Sequence, residues 1–208
     1  AYEIKECDWS SDVCSSDLYI LGVEGQFACL ELKPGRVTWQ RQINQEFKVP
    51  QDFFGTVGTP LLMGDVLILN VGAPGGPCVV GFDKHTGKVV WRAGEKWGPS
   101  YASPIPGVIH GQPRAFVFAG GDSQPPTGGL LSINPANGKV DFEYPWRSKK
   151  YESVNASCPV VLGNSVFISA TYRAGSTLLK IGSDFKPTDR KSTRLNSSHI
   201  PLSRMPSS

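Results

Sequence analysis

The side chains that could carry out acid–base or nucleophilic chemistry are few in this chain of 208 residues, and they do not cluster. His85 and His110 both fall in short turns, where a solvated loop residue is a simpler reading than a general base. Asp122 lies in the segment Gly-Gly-Asp-Ser at residues 120–123, where a ligand could approach the backbone, although a plain turn explains it better. The sequence contains no GxSxG, HExxH, P-loop or dinucleotide-binding pattern. We therefore predict no catalytic residue.

Cysteine usage points to neither a metal site nor a disulfide framework. Cys29, Cys78 and Cys158 lie in or beside apolar strands and show no CxxC spacing. Cysteine in such a place usually serves as a small buried hydrophobe. The remaining two, Cys7 and Cys14, fall in an N-terminal stretch that does not match the rest of the chain. We predict no metal-binding residue.

Charge and hydropathy argue against two further classes of protein, those that bind nucleic acid and those with a membrane-spanning helix. The formal net charge is +3 and the basic residues are spread along the chain, which gives no electrostatic case for binding nucleic acid. Carboxylates such as Asp65, Asp83 and Asp141 fall at turns or on predicted exposed strand faces. Calcium needs about six or more convergent oxygens, and no local cluster supplies them. No apolar run approaches the roughly 20 residues of a membrane-spanning helix.

Two loops combine aromatic and charged residues, a composition favoured at protein contact sites. They cover residues 94–101 and 146–152. If the protein carries a partner surface, the candidate binding residues are Trp97, Tyr101, Trp146, Arg147 and Tyr151. The alternative, that these rings merely pack between structural units, explains the pattern equally well.

The elements that must position these loops repeat along the sequence. A strand, a glycine turn, a basic residue and a strand with an aromatic ring occur at residues 30–39, 82–91 and 133–142, with the glycines 52 and 51 residues apart. A fixed period of this length indicates a repeat architecture. After each glycine, alternation predicts that Val89 and Trp91 share one strand face, with the ring against the neighbouring unit. The structural signature of the repeat is Gly35, Trp39, Asp83, Thr86, Gly87, Trp91, Gly138 and Phe142.

A second motif precedes the later hairpins. Residues 58–69, 102–119 and 156–169 each contain a short strand opened by Ser or Thr and Pro, then a turn and a β-branched or aromatic strand. Two strands here and two in the hairpin make four per repeat, as in a propeller blade. The predicted fold is therefore all-β: a partial β-propeller of about three to four four-stranded antiparallel blades from a larger ring. A β-sandwich is the alternative, but it would not place a ring at one offset three times.

The hairpin at residues 82–91 is similar to the repeat of the pyrroloquinoline quinone (PQQ)-like propeller superfamily, which consists of a strand, Asp, a Thr-Gly-Lys turn and a strand ending in Trp. The resemblance covers residues 19–188 and is weaker in the first repeat, where Pro34-Gly35-Arg36 replaces Thr-Gly-Lys. The superfamily contains quinoprotein dehydrogenases, which hold PQQ and Ca²⁺, and cofactor-free scaffolds, the BamB-like branch among them. An enzyme of this kind implies an adjacent Cys-Cys pair, which the chain lacks.

Both ends depart from the repeat. Residues 1–18 and 189–208 resemble translated sequencing-adapter DNA, so we exclude them from the fold and expect them to be disordered because they are polar and rich in serine. The expected propeller region is residues 19–188.

The resemblance implies a fragment of a non-catalytic propeller that acts as a binding or scaffolding module and requires no cofactor. Its expected partners are another protein or the remaining blades, and its expected location is the periplasm or cell envelope of a bacterium. The alternative is a partial PQQ- and Ca²⁺-dependent alcohol or sugar dehydrogenase whose catalytic residues lie in the missing blades.

Overall fold

A computed structural model describes residues 17–50, 55–151 and 153–193. Within these ranges it contains one short helix, α1 (Ile43–Glu46), and a series of strands. The strands are β1 (Asp17–Leu21), β2 (Gln26–Glu31), β3 (Val37–Gln42), β4 (Leu61–Met63), β5 (Val66–Asn70), β6 (Val79–Asp83), β7 (Val89–Ala93), β8 (Ile105–Ile109), β9 (Gln112–Ala119), β10 (Gly129–Ile133), β11 (Val140–Pro145), β12 (Val160–Leu162), β13 (Ser165–Ala170), β14 (Gly175–Ile181) and β15 (Pro187–Thr193).

The strands form four consecutive antiparallel sheets, each built from neighbours in sequence. Sheet 1 contains β1–β3, sheet 2 contains β4–β7, sheet 3 contains β8–β11 and sheet 4 contains β12–β15. Because consecutive strands alternate in direction, their connections leave at two opposite ends of each sheet. In sheets 2 and 3 the tight turns gather at one end, the turn end, and the longer connections gather at the other, the loop end. The predicted all-β architecture of four-stranded, propeller-type units is confirmed.

Sheets 2 and 3 each pack both broad faces against neighbouring sheets, so their middle strands are buried on both sides. In β5, Leu67 and Leu69 face sheet 1, whereas Ile68 faces sheet 3. In β9, Ala115 and Val117 face sheet 2 while the phenylalanines between and beyond them face sheet 4. Three separate apolar cores result, one per interface, and all of these side chains are almost wholly removed from water. Burial of this apolar area is the main term that holds the sheets together.

At the first two interfaces, an indole ring of one sheet lies on the turn glycine of the next. Trp39 Nε1 donates to the Lys84 carbonyl at 2.9 Å, and Trp91 Nε1 donates to the Pro135 carbonyl at 2.9 Å. A Cβ added to Gly87 would lie 2.6 Å from the Trp39 ring, and one added to Gly138 would lie 2.7 Å from the Trp91 ring. We call this contact of indole, turn glycine and carbonyl the ring–turn contact. The predicted packing of the repeated ring against the neighbouring unit is therefore observed.

A β-bulge orients each of these rings. The register of sheet 2 shifts between Gly81 and Phe82, so that Val89 pairs with Phe82 while Trp91 pairs with Gly81. Sheets 1 and 3 shift at the corresponding place. The prediction that Val89 and Trp91 share a strand face is wrong, because Val89 packs toward sheet 1 and Trp91 toward sheet 3. The extra residue in the strand changes the alternation by one and turns the ring to the following sheet.

The third interface replaces this arrangement. Phe142 supplies the ring from sheet 3, and the turn of sheet 4 is one residue shorter, with Phe185 at φ 58° where the other turns have glycine. Phe185 packs against the same apolar cluster as Phe142. The Arg114 guanidinium lies over the Phe185 ring with its Cζ 4.1 Å from the centroid. Two phenyl rings thus take the place of one indole and one glycine.

The predicted exposure of Asp141 is wrong. Its side chain is only 10% exposed and its Oδ2 accepts from Arg114 Nε at 2.5 Å and from Ser132 Oγ at 3.2 Å. Asp141 is the extra residue of the bulge in β11, so simple alternation gives the wrong direction for it as well.

The structure extends beyond the expected propeller range at both ends. Asp17 and Leu18 belong to β1, and residues 189–193 belong to β15, so the expectation of disorder is wrong for these residues. Strand pairing depends on backbone hydrogen bonds, which side-chain composition does not reveal. Residues 1–16 and 194–208 lie outside the described residues. The domain boundaries and the adapter origin of the ends stay predictions.

The ring–turn contact predicts a large effect of substitution at Trp91. Trp91→Phe removes the donor to Pro135 and should lower the free energy of unfolding by about 1–3 kcal/mol. Trp91→Ala also empties a buried site and should cost about 3–5 kcal/mol. Urea denaturation measures both. The neighbouring Val90, 51% exposed, supplies the control, since Val90→Thr should change the value by no more than about 0.5 kcal/mol. Equal effects at both positions would contradict this role.

The turn of sheet 2 predicts a pH-dependent contribution from Asp83. Its Oδ1 accepts from Thr86 N at 2.8 Å and from Thr86 Oγ1 at 2.7 Å, and these hydrogen bonds lower the pKa of the carboxyl below 3.8. A carboxyl whose pKa is lowered in the folded state stabilises the fold at pH values above its ordinary pKa. This contribution disappears as the pH falls through the lowered pKa. Asp83→Asn should therefore destabilise the protein at pH 7, and the difference from wild type should shrink towards pH 2.5 in urea titrations.

Glu95→Gln, which removes one carboxylate from an exposed loop position, is the matched control for the change in charge. If the loss of unfolding free energy in Asp83→Asn stays constant down to pH 2.5, the ionised carboxylate of Asp83 is not the source of the stabilisation.

Candidate functional site

The long connections at the loop end of sheets 2 and 3 surround an open cavity of about 970 Å³, the rim cavity. Its walls come from the connections β5–β6, β7–β8, β9–β10 and β11–β12, with Pro50 from the connection that follows α1. Four of the five predicted binding residues line it: Trp97, Tyr101, Arg147 and Tyr151. The repeat therefore brings together side chains that are up to 54 positions apart in sequence. Whether they bind a partner stays a prediction.

Backbone contacts between loops of neighbouring sheets fix the cavity wall. Gly98 N donates to the Gly120 carbonyl at 2.9 Å, and Gly120 N donates back at 3.2 Å. At Gly120 an added Cβ would lie 2.1 Å from the Pro99 carbonyl oxygen, and at Gly72 it would lie 1.9 Å from Pro99 N. Only glycine allows the backbones to come this close.

The aromatic residues of the wall differ in exposure. Trp97 is 8% exposed and packs in the core between sheets 2 and 3, with part of its surface on the cavity. Tyr151 is 75% exposed. Tyr101 is half-buried, and its backbone N donates to the Asn155 carbonyl at 3.0 Å. The wall thus offers one largely exposed aromatic ring beside rings held in place by the sheets.

Arg147 joins two of the loops. Its Nη2 donates to the Gly121 carbonyl at 2.9 Å and to the Ser153 carbonyl. Burial lowers the pKa of the guanidinium from its usual range, with the charge of Asp122 acting in the opposite direction. Nε and Nη1 are buried and have no hydrogen-bond partner within the described part of the chain. Arg147 therefore acts as a brace in the wall.

Trp146 is not part of the rim cavity. Its ring stacks on Tyr144 with centroids 6.2 Å apart and planes at 19°, and it packs against the core between sheets 3 and 4. The Trp146 ring thus packs between structural units, which is the alternative given above for the aromatic residues of these loops.

Asn155 is a cavity residue that sequence reasoning missed. It is 1% exposed, and its Nδ2 donates to the Ala119 carbonyl at 2.8 Å and to the Trp146 carbonyl at 3.1 Å. It thereby ties the connection β11–β12 to the end of β9. The sequence offered no signal for it, because an isolated asparagine in a loop is most often a solvated turn residue.

The other residues singled out for chemistry have structural surroundings. His85 is exposed at the turn end, with Nε2 3.9 Å from Asp65 Oδ1. His110 adopts φ 48° in the β8–β9 turn, and its Nε2 lies 3.0 Å from the Ile181 carbonyl oxygen. Asp122 lines the rim cavity, where its backbone N donates to Thr127 Oγ1 at 2.8 Å. The three are not close to one another in a common site.

The metal-ligating side chains of the described residues are dispersed. Within residues 17–50, 55–151 and 153–193, no group of three or more His, Cys, Asp or Glu side chains could hold a metal ion. Cys29, Cys78 and Cys158 are separate free thiols. In the same ranges no helix is long and apolar enough to cross a membrane.

Comparison with known families identifies the repeat. A PQQ-repeat family model described as outer membrane protein assembly factor BamB matches residues 9–199. The chain belongs to this family. The match extends into both segments that resemble adapter DNA. No curated protein sequence matches the chain.

Solved structures share the fold at low sequence identity. BamB from Moraxella catarrhalis is 15% identical with a TM-score of 0.56, and the match covers 86% of this chain and 45% of that one. Quinohemoprotein alcohol dehydrogenase from Comamonas testosteroni is 12% identical with a TM-score of 0.58, and the match covers 83% of this chain and 33% of that one. The chain thus spans less than half the length of either protein. These likenesses show the fold alone.

Burial predicts different reactivities for the cysteines. Burial raises the pKa of Cys78 to about 12 and also raises that of Cys29, whereas Cys158 is exposed. Because the thiolate is the nucleophile, a maleimide should label Cys158 rapidly in the folded chain and the other two only on unfolding. Peptide mapping by mass spectrometry measures each site. Cys158→Ser should abolish the rapid labelling among these three, and rapid labelling of Cys78 would contradict the described packing.

Proposed function

We propose that this chain is part of a non-catalytic PQQ-repeat propeller that binds a protein partner at the loop end of its sheets. The observation that carries the proposal is the rim cavity, where Trp97, Tyr101, Arg147 and Tyr151 from two successive sheets converge. Tyrosine, tryptophan and arginine are the residues that most often dominate protein–protein binding energy. The scaffold holds them in position without using them for strand pairing.

The shape of the site supports recognition of a protruding segment rather than a flat surface. A volume of about 970 Å³ lies at the upper end of the range for ligand-sized clefts. A loop or an extended peptide that enters it would meet Trp97 at the wall and Tyr151 at the opening. The glycine-rich connections beside them leave backbone N–H and C=O groups near the opening for hydrogen bonds to a peptide chain.

The family suggests which class of partner to seek. Because the matching family is described by assembly of outer membrane proteins, we propose that the chain works in a bacterial envelope and that its partner is a protein involved in that assembly. The periplasm is the compartment where such contacts would form.

The alternative function is a PQQ- and Ca²⁺-dependent alcohol or sugar dehydrogenase whose catalytic residues lie in blades outside this chain. The fold that the chain shares with quinohemoprotein alcohol dehydrogenase is its only support, and the repeat signature is common to both classes. Adding PQQ and Ca²⁺ to the chain, and to a longer protein that contains it, tests this function. Dye-linked oxidation of an alcohol or sugar would favour the enzyme.

Site-specific photocrosslinking tests the binding function. A photoreactive amino acid replaces Tyr151, which is largely exposed at the cavity opening, in the full chain expressed in the periplasm of a Gram-negative host. We expect a discrete crosslinked product with an envelope protein, identified by mass spectrometry. The matched control carries the same group at Lys139, which is exposed at the turn end, and should give no such product.

Two further variants separate specific binding from adhesion. Trp97→Leu should weaken the crosslinked product at position 151, because the cavity wall loses its indole. With the photoreactive group at position 139, the same variant should again give no product. Arg147→Lys, which keeps the charge but not the two-loop brace, should weaken it too. Equal crosslinking at positions 151 and 139, or a product insensitive to both substitutions, would refute binding at the rim cavity.

A further inference from the structure

The turn between β13 and β14 holds two bulky residues in a backbone conformation that favours glycine. Tyr172 has φ 58° and Arg173 has φ 66°, and the Ala174 N–H donates to the Thr171 carbonyl at 3.2 Å. Positive φ at both central residues is the pattern of a type I′ turn, which usually contains Asn-Gly because larger side chains crowd the backbone there. Among the described residues, no other two consecutive non-glycine residues have positive φ. The turn therefore carries side chains that its backbone geometry does not favour.

Tyr172 and Arg173 are exposed beside the connection β11–β12, which forms one wall of the rim cavity. Tyr172 is 47% exposed and Arg173 is exposed as well. The hydroxyl of the buried Ser148 donates to the Tyr172 carbonyl at 2.6 Å and so ties the turn to that connection. Burial lowers the pKa of the Arg147 guanidinium, while Asp122 and Tyr172 act in the opposite direction. Tyr172 is thus close enough to the cavity wall to interact with Arg147. Strained backbone of this kind is typical of binding sites, where the side chain and not the turn is what matters.

Positive charge collects on the two connections that the Ser148 hydrogen bond joins. Residues 146–159 contain three basic residues and one acidic residue, and the turn adds Arg173. Lys149 and Lys150 are exposed, and within the described part of the chain neither they nor Arg173 forms a salt bridge. We call this surface the basic lip, and it consists of Lys149, Lys150, Tyr151, Tyr172 and Arg173.

We propose that the basic lip binds an acidic, extended segment of a partner protein that continues into the rim cavity. This inference rests on the proposed function and names the chemistry of the segment that the partner presents. Carboxylates of the segment pair with Lys149, Lys150 and Arg173, and its apolar atoms pack on the two tyrosine rings. Because Tyr151 belongs to both the basic lip and the rim cavity, one segment can occupy both.

A protein segment fits this surface better than a membrane or a nucleic acid. The lip borders a concave cavity of about 970 Å³, which the flat surface of a bilayer cannot enter. Nucleic-acid binding relies on a series of phosphate contacts, and the lip offers three cations. The Asp122 carboxylate on the same cavity would repel a continuous row of phosphates, whereas a peptide can place a neutral or basic residue opposite it.

Fluorescence anisotropy with the full chain tests the charge of the ligand. The probe is a labelled peptide in which Glu and Ser alternate around a central Phe, and a second peptide carries Gln in place of every Glu. We expect the acidic peptide to bind at least about threefold more tightly than the Gln peptide. Added NaCl should remove the difference, because salt screens exposed charges. Equal affinity for the two peptides would overturn the proposal.

Two double substitutions with the same loss of charge locate the binding surface. Lys149→Gln with Lys150→Gln should weaken binding of the acidic peptide about three- to tenfold and leave binding of the Gln peptide unchanged. The matched control, Lys88→Gln with Lys139→Gln, removes two exposed lysines at the turn end and should weaken it by less than about twofold. If the two pairs have the same effect, the attraction is to the whole basic protein and the basic lip is not a site.

A third variant separates the side chains of the strained turn from its fold. Tyr172→Asn with Arg173→Gly installs the residues that a type I′ turn favours, so it should raise Tm by at least about 2 °C. The same variant should weaken binding of the acidic peptide at least about threefold, because a ring and a cation are lost. Unchanged affinity would contradict the proposal, and so would a lower Tm, since the turn would then not be strained.

The other classes of ligand are outcomes of the same assay. Vesicles of anionic phospholipid, or single-stranded DNA, take the place of the acidic peptide. We expect Lys149→Gln with Lys150→Gln to change their binding no more than the control pair does. If either ligand binds more tightly than the peptide and loses affinity only in the lip variant, the partner is not an acidic protein segment and the proposal fails.

Photocrosslinking at position 151 separates this inference from the proposed function. We expect Lys149→Gln with Lys150→Gln to weaken the crosslinked product and the control pair to leave it unchanged. A product that survives the lip substitutions at full strength would refute the basic lip and leave binding at the rim cavity intact. Absence of any product from the chain without these substitutions would instead refute the proposed function, on which the inference rests.

Discussion

The contact between an indole and the turn of the next sheet is the constraint on which the rest of the structure depends. It requires a glycine in the receiving turn, a carbonyl three residues before that glycine and a bulge that turns the ring out of its own sheet. It also requires a small residue beneath the ring, and the residues paired with Trp39, Trp91 and Phe142 are Cys29, Gly81 and Ser132. Each sheet is thereby fixed to its neighbour at the turn end, while the apolar cores fill the space between their faces. The loop end follows from this, since sheets fixed in one orientation deliver their long connections to one edge.

Much of this architecture could be predicted from the repeat, because spacing and ring position are properties of the chain. The number of strands per unit, the turn glycines and the packing of Trp39 and Trp91 between sheets all follow from it. What the pattern could not show is a change of alternation. A bulge adds one residue without any compositional mark, so the faces of Val89 and Asp141 were assigned wrongly. The pairing of residues 189–193 was missed for a related reason, since a strand edge can pair with a segment of almost any composition.

The candidate site, too, could be predicted from the sequence only in part. Loop composition pointed to Trp97, Tyr101, Arg147 and Tyr151, and the repeat explains why residues from two units lie around one cavity. Loop composition did not distinguish Trp146 from these cavity residues. The Trp146 ring packs between sheets, although its neighbour in sequence, Arg147, lines the cavity. Nor could composition find Asn155, which matters through a fold-dependent pair of hydrogen bonds to Ala119 and Trp146. Side chains that act by joining distant segments have no local signature.

The close approach of Gly72, Gly98 and Gly120 to the neighbouring loops has a thermodynamic consequence for any partner. Loops that are hydrogen-bonded to one another have already lost their conformational freedom when the sheets assemble, so binding does not need to order them again. The entropic penalty of association would then fall mainly on the incoming molecule. A stiff ligand would gain most from such a preorganised rim, and a flexible one would bind more weakly for the same contacts.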